Sequence, residues 1–226
     1  MFYLDADNVY RVSELDEMEW LVHGFGTRRA DVPGRFRRLA TLKQIHSTEC
    51  VSGAGRGGVL GTGDGLLENT PGAVVAVKTA DCVPLLLVDP VHRAVAAVHA
   101  GWRGTVAGIA QRAVAAMGAR FGSRAGDLRA AIGPAIGKCC YEVGAEVAAR
   151  FGVDGRAHID LAGAVRSQLE AAGVGGQRIY MSGLCTRCRA EEFHSFRRDG
   201  TAAGRLYSFA GIIETCPAPS ASTGLK

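Results

Sequence analysis

Cys82 and His99 bracket two apolar runs and a turn within residues 80–104, ADCVPLLLVDPVHRAVAAVHAGWRG. Residues 85–88 and 94–98 have strand length, and Asp89-Pro90-Val91-His92 offers Asp and Pro in the first two places of a type I turn. A symmetric turn sets Val88 opposite Arg93 and so Cys82 opposite His99. Directly opposed residues have Cβ atoms ~4.5–5.5 Å apart. A thiol and an imidazole at that separation can share one metal ion or act as nucleophile and base. The register carries this expectation. Two-residue hairpin turns favour primed types, which Pro at the first central place excludes, and a slip of one residue would turn the two side chains to opposite faces.

His46, in Gln44-Ile45-His46-Ser47, adds a third donor from a separate segment. Three readings of His46, Cys82 and His99 stay open at this point. A His₂Cys set leaves one position of a tetrahedral zinc free for water, as catalytic zinc sites do, and zinc lowers the pKa of that water toward neutrality. A Cys–His hydrolase would use His99 to take the thiol proton and Cys82 to attack a carbonyl. The three residues can also serve unrelated structural roles. Copper-oxidase chemistry is excluded by counting: with six histidines and no His-x-His pair, the chain cannot build a histidine-rich trinuclear cluster beside a blue-copper centre.

After His99, Gly101-Trp102-Arg103-Gly104 turns the chain into a helix that Thr105 can cap and Gly122 can end. Unpaired N–H groups at its start, with Arg103, form a candidate anion site. Cys185-Thr186-Arg187-Cys188 is a CxxC, half a zinc knuckle or a redox pair by itself. No second CxxC exists, and Cys139-Cys140 are adjacent, so Cys188 reads as incidental and Cys139-Cys140 as core residues at a helix start.

The elements that must position these groups alternate between strand and helix. Strands are expected near residues 1–12, 21–28, 72–79, 128–132 and 178–183, and as a pair over 193–198 and 205–213 around a turn at Asp199-Gly200. Helices are expected over 105–121, over 140–151, and after Asp160 up to Gly173. The hairpin strands are apolar at both parities, so both faces should be covered. Gly61-Thr62-Gly63-Asp64-Gly65 lacks the Gly-Lys-Ser/Thr ending of a P-loop and reads as flexible turn.

With 226 residues, 47% apolar and 21% charged, the chain suits one globular domain over 1–214, followed by a disordered tail over 215–226. A net charge of +4 with no long basic block argues against a nucleic-acid arm. No signal-peptide pattern and no apolar stretch of spanning length are evident, so a cytoplasmic protein with reduced thiols and no membrane partner is expected.

Taken in order, Gln44-Ile45-His46-Ser47, Thr79-Ala80-Asp81-Cys82-Val83-Pro84, His99-Ala100-Gly101-Trp102-Arg103-Gly104, Ile132-Gly133-Pro134 with Cys140-Tyr141-Glu142-Val143-Gly144, and Ser195-Phe196-Arg197-Arg198-Asp199 form one pattern. From about His23 to Ile213 the chain resembles the YfiH/YlmD family of polyphenol oxidoreductase, or laccase-domain, proteins, understood as purine nucleoside enzymes. The resemblance implies an α/β (α+β) fold, a compact sandwich of mixed β-sheets with helices packed outside. It implies phosphorolysis of adenosine, inosine and S-methyl-5'-thioadenosine, with adenosine deamination, and zinc held by His46, Cys82 and His99. An older copper assignment also attaches to the family. Purine nucleosides and phosphate are then the expected partners, for a monomer or small homo-oligomer. Arg103, with Arg28 and Lys43 behind it, is the candidate phosphate site. Asp81 is the nearest carboxylate in sequence, but it could act as acid or base only if the strand starts after it. Some members are linked to peptidoglycan-precursor editing, which keeps a Cys–His hydrolase as the alternative. The chain departs from the family in a short segment between Arg28 and Leu39, which lacks the usual asparagine-rich loop, and in Ser47, where glycine is common.

Overall fold

The computed structural model describes residues 1–214. The expected tail over 215–226 lies outside them. Two mixed sheets form the body. One has seven strands in the order Phe2–Leu4, Val9–Val12, Leu21–Gly26, Leu206–Ile212, Val74–Thr79, Leu39–Lys43 and Gly58–Thr62. The other has six, in the order Ile179–Met181, Arg129–Ile132, Val83–Asp89, Ala94–Ala100, Gly65–Glu68 and Cys50–Ser52.

The 80–104 stretch supplies the two central strands of the six-stranded sheet, and its double-parity hydrophobicity follows from that place. Leu86, Val88, Val95 and Ala97 pack between the sheets with Leu66, Val75 and Val77. Leu85, Leu87, Ala96 and Val98 face the other way, onto Ile109, Ala113, Met117, Val165 and Leu169. Those last residues belong to helices Ile109–Phe121 and Leu161–Ala171. The helices therefore cover the outer face of the six-stranded sheet, while the seven-stranded sheet buries Val74, Ala76 and Phe209 on its own outer side. The sandwich with helices outside is thus present.

The hairpin register differs from the symmetric reading. Ala94 pairs with Asp89, which places His99 opposite Pro84 and Ala100 opposite Val83. The turn is longer because the buried Asp89 carboxylate accepts the N–H groups of Val91 and His92 at 2.8 and 3.1 Å. Arg93 then closes it in the left-handed region, with φ 46°. The slip is two residues, so parity survives. Cys82 is not directly opposed to His99, because it precedes the strand, which starts at Val83.

Other expectations are corrected as well. The helix expected from Thr105 is broken into Trp102–Val106 and Ile109–Phe121 by Gly108 at φ 83°, and Thr105 is buried inside the first piece rather than capping it. Gly122, at φ 77°, does end the second piece. Residues 140–151 yield only the helix Ala145–Ala149 after a short strand, Glu142–Val143. Residues 193–198 do not pair with the final strand. Ser195 caps a short helix, Phe196–Asp199, by accepting the Arg198 N–H, and Leu206–Ile212 pairs instead with Leu21–Gly26 and Val74–Thr79. Asp160 caps its helix as expected, through the Gly163 N–H at 2.8 Å.

Leu86 is fully buried between the two sheets. Leu86→Ala should destabilise the fold by about 2–5 kcal/mol, read as a shift in the midpoint of chemical denaturation.

Candidate metal centre

A cleft of about 650 Å³ opens where the ends of Leu39–Lys43 and Val74–Thr79 meet the start of Val83–Asp89 and the end of Ala94–Ala100. His46, Cys82 and His99 lie on its lining, and one donor atom from each falls within 4.8 Å of the other two. Cys82 Sγ stands 3.8 Å from His46 Nε2. The two imidazoles meet edge to face at 79°, with centroids 4.8 Å apart. Metal–ligand bonds of 2.3 Å to sulfur and 2.0–2.1 Å to nitrogen set a tetrahedral S···N edge of about 3.6 Å. The observed spacing is close to that, so the residues present fit a zinc ion.

Three local features produce this convergence. Gln44 continues the parallel pairing of Leu39–Lys43 with Val74–Thr79 through its side chain, accepting the Lys78 N–H at 2.8 Å and donating to the Lys78 carbonyl at 2.7 Å. Beyond it, His46 takes a left-handed conformation, φ 62°, and Asp81, before Cys82, takes φ 84°. Such residues each cost of order 1–3 kcal/mol and persist only where the surroundings enforce them. Gly101 supplies the space. A Cβ there would stand 2.5 Å from His46 Cδ2 and 3.2 Å from Cys82 Sγ.

Asp64, inside the run that reads as flexible turn, is the residue sequence reasoning missed. It is fully buried. Its Oδ1 accepts from His99 Nδ1–H at 2.8 Å and from the His46 N–H at 3.0 Å. Its Oδ2 accepts from the Ser47 N–H at 2.6 Å and the Ser47 hydroxyl at 2.7 Å. The first bond leaves His99 Nε2 as the free donor atom, as in carboxylate–histidine–zinc arrangements. Ser47, a departure from the family pattern, thus adds a hydroxyl contact to the same carboxylate. The signal available in the sequence was an acidic residue between two glycines. At Gly65 an added Cβ would collide with Cys50 Sγ at 2.6 Å, so that glycine reflects close packing rather than flexibility.

The electrostatics follow from these bonds. Burial pushes the Asp64 carboxyl up, but the hydrogen bonds from His99 and Ser47 outweigh it and bring it to about 2. Burial pushes His99 down, but its bonds to Asp64 and Cys82 raise it to about 9. Burial likewise pushes the Cys82 thiol up, and the neighbouring His46 and His99 imidazoles bring it down to about 7.

The strand begins after Asp81, yet its carboxylate is occupied. It accepts from the Thr186 hydroxyl at 2.6 Å, the Ser195 hydroxyl at 3.1 Å and the Arg197 N–H at 2.6 Å. Asp81 therefore positions the loops over the cleft. Of the candidate phosphate residues, Lys43 lines the cleft, together with Lys78, Arg197 and Arg205. Arg103 stacks on the Trp102 ring at 4.4 Å, and Arg28 donates to the Ala190 carbonyl at 2.9 Å; neither is on the lining. Trp102, Tyr141 and Phe196 supply aromatic surface. Among the described residues no helix is long and apolar enough to cross a membrane.

Fold and site together define a two-sheet α/β protein with a His₂Cys metal-ligand geometry on the lining of an open cleft. The family model described as multi-copper polyphenol oxidoreductase laccase matches residues 27–213, and the chain belongs to that family. It is 43% identical over 184 residues to a purine nucleoside phosphorylase of Deinococcus radiodurans, covering 77% of this chain and 70% of that protein. It is 38% identical over 213 residues to adenosine deaminase RL5 from an unknown prokaryotic organism, covering 88% and 76%. The crystal structure of YlmD from Geobacillus stearothermophilus superposes with a TM-score of 0.85 at 29% identity, over 94% of this chain and 99% of that one.

Removing the outer partner of a metal-ligating histidine typically costs 10–100-fold in metal affinity. Asp64→Asn should weaken zinc binding by about that factor, measured by competition with a chromophoric chelator.

Proposed function

We propose that this chain is a zinc-dependent purine nucleoside phosphorylase that accepts adenosine, inosine and S-methyl-5'-thioadenosine and also deaminates adenosine. The observation that carries the reading is the cleft itself. One lining holds the His46–Cys82–His99 donors, three aromatic rings and four cations, Lys43, Lys78, Arg197 and Arg205. A nucleoside offers a flat base to the rings, and phosphate offers charge to the cations. Relatives named for phosphorylase and deaminase activities support the same reading.

Zinc, when bound, would supply Lewis acidity beside the reacting atoms. The chain's own residues do the rest. Lys43, Lys78, Arg197 and Arg205 bind the phosphate whose oxygen attacks the ribose C1′ as the bond to the base breaks. Trp102, Tyr141 and Phe196 hold the purine ring. In deamination, water adds at purine C6 and ammonia leaves. Arg103 and Arg28, away from the lining, drop out of the phosphate role in this reading.

One observation favours a second reading. The Cys82 thiol, brought to about 7 beside His46 and His99, has the acidity of an activated nucleophile. A Cys–His hydrolase acting on an amide, such as a peptidoglycan precursor, would use it.

Adenosine turnover with and without phosphate tests the proposal. Ribose 1-phosphate should form only with phosphate, inosine should appear without it, and Cys82→Ser should lose activity by more than about 100-fold, beyond the loss typical of an outer partner. Full activity in zinc-free protein would sink it. Metal-independent amide hydrolysis abolished by alkylating Cys82 would establish the second reading.

The pH dependence of zinc binding follows from the same groups. Metal ligands must shed their protons. Between pH 7 and 9 the proton on His99 must leave, and below pH 7 the Cys82 proton as well. Zinc affinity should therefore rise with pH, about tenfold per unit above pH 7 and nearer 100-fold per unit below it. Zinc titrations in buffers from pH 6 to 8.5 read this slope.

A further inference from the structure

Four cysteines converge outside the cleft. Cys139 and Cys140 lie on a turn after strand Arg129–Ile132, and Cys185 and Cys188 end the CxxC turn after strand Ile179–Met181. Those strands are parallel neighbours, with Ala130 beside Ile179 and Ile132 beside Met181, so they deliver both loops to one end of the sheet. A bridge from Ala135 to Cys185 continues the pairing. This corrects the reading of Cys139-Cys140 as core at a helix start and of Cys188 as incidental. Cys139 and Cys188 are exposed, Cys140 is half-buried, and the helix begins only at Ala145.

All four sulfurs lie within 4.8 Å of one another. The separations are 3.7 Å for Cys139–Cys140, 3.8 Å for Cys139–Cys188 and 3.4 Å for Cys140–Cys188. A tetrahedron built on 2.3 Å zinc–sulfur bonds has edges of about 3.8 Å. One sulfur already has a backbone donor: the Gly137 N–H donates to Cys185 Sγ at 3.3 Å. Gly137 also keeps the turn open, since a Cβ there would approach Cys139 Sγ and Cys185 Cβ to 3.2 Å.

We propose that Cys139, Cys140, Cys185 and Cys188 bind a second zinc ion in a closed, structural tetrathiolate site, distinct from His46, Cys82 and His99. Four protein ligands leave no position for water or substrate, which is the mark of a structural site. Its consequence reaches the cleft. Tyr141, next to Cys140, lines the cleft, and its ring carries the Arg197 guanidinium at 5.4 Å. Thr186, between Cys185 and Cys188, holds Asp81. The ion fastens two loops, 45 residues apart at their nearest cysteines, one of which gives Ile136 and Tyr141 to the cleft lining while the other holds Asp81 through Thr186.

The test uses the full chain, purified under reducing conditions from zinc-replete medium. A His46→Ala/Cys82→Ser variant, which lacks two of the three cleft donors, should still hold one zinc per chain by elemental analysis. Adding Cys139→Ser and Cys188→Ser should bring it to none. A zinc-free His46→Ala/Cys82→Ser protein would overturn the proposal whatever the nucleoside assays show. Because such variants can misfold, alkylation of the wild-type chain gives an independent reading. Exposed Cys139 and Cys188 should resist iodoacetamide until a strong chelator is added, with the labelled sites mapped by mass spectrometry. Immediate labelling without chelator, or a disulfide-linked peptide joining the two loops, would refute the site.

Discussion

One buried carboxylate organises the candidate centre. Asp64 is fully buried, and an unpaired charge there would cost several kcal/mol. It is compensated by donors from two directions, His99 from the hairpin and the 45–47 backbone with the Ser47 hydroxyl from the other side. Satisfying that charge is what brings His46 and His99 together. The left-handed backbone at His46 is one cost of the arrangement, offset by the N–H that this conformation aims at Asp64 Oδ1.

Asp81 plays the matching role one layer out. Its positive φ turns the chain into Cys82, while its carboxylate gathers Thr186, Ser195 and Arg197. Two aspartates thus divide the work. Asp64 fixes the His99 imidazole and the His46 backbone, and Asp81 ties the loops that carry Arg197 and Phe196 to the same stretch of chain. Asp64 accepts five hydrogen bonds on its two oxygens and Asp81 three, so both carboxylates are engaged in holding neighbouring segments. Each stabilises the site by accepting hydrogen bonds, and charge-assisted bonds of this kind contribute more than neutral ones.

The sequence made the chemical core legible and left its supports hidden, for physical reasons. Apolar runs of both parities marked the hairpin as a doubly covered centre, and the ends of such a hairpin are close whatever the turn. The Asx bonds of Asp89 lengthened the turn by two residues, and an even slip preserves the face, so the proximity of Cys82 and His99 outlived the wrong register. Asp64 was hidden because glycines signal flexibility and close packing alike, and only the packed structure separates the two. The CxxC lost its partners because Cys139-Cys140 reach it through parallel strand pairing, which leaves no trace in local spacing. Arg103 stands off the cleft lining, its guanidinium stacked on the Trp102 ring adjacent in sequence, a packing that spacing along the chain does not reveal.

Charge balance favours co-ligands over nucleophile and base for Cys82 and His99. Near neutral pH in the metal-free chain, Asp64 and an ionised Cys82 contribute two negative charges and a protonated His99 one positive, leaving a deficit of one positive charge. A divalent ion that displaces the His99 proton brings the set to neutrality and uses the Nε2 that Asp64 has left free. A nucleophilic role asks for less: a thiol, an imidazole and access. It does not explain why a second imidazole, His46, is held in a left-handed backbone with its Nε2 3.8 Å from the same sulfur, nor why Gly101 is shaped to admit it. A third donor held at the cost of backbone strain is what a metal centre needs and a thiol–imidazole pair does not.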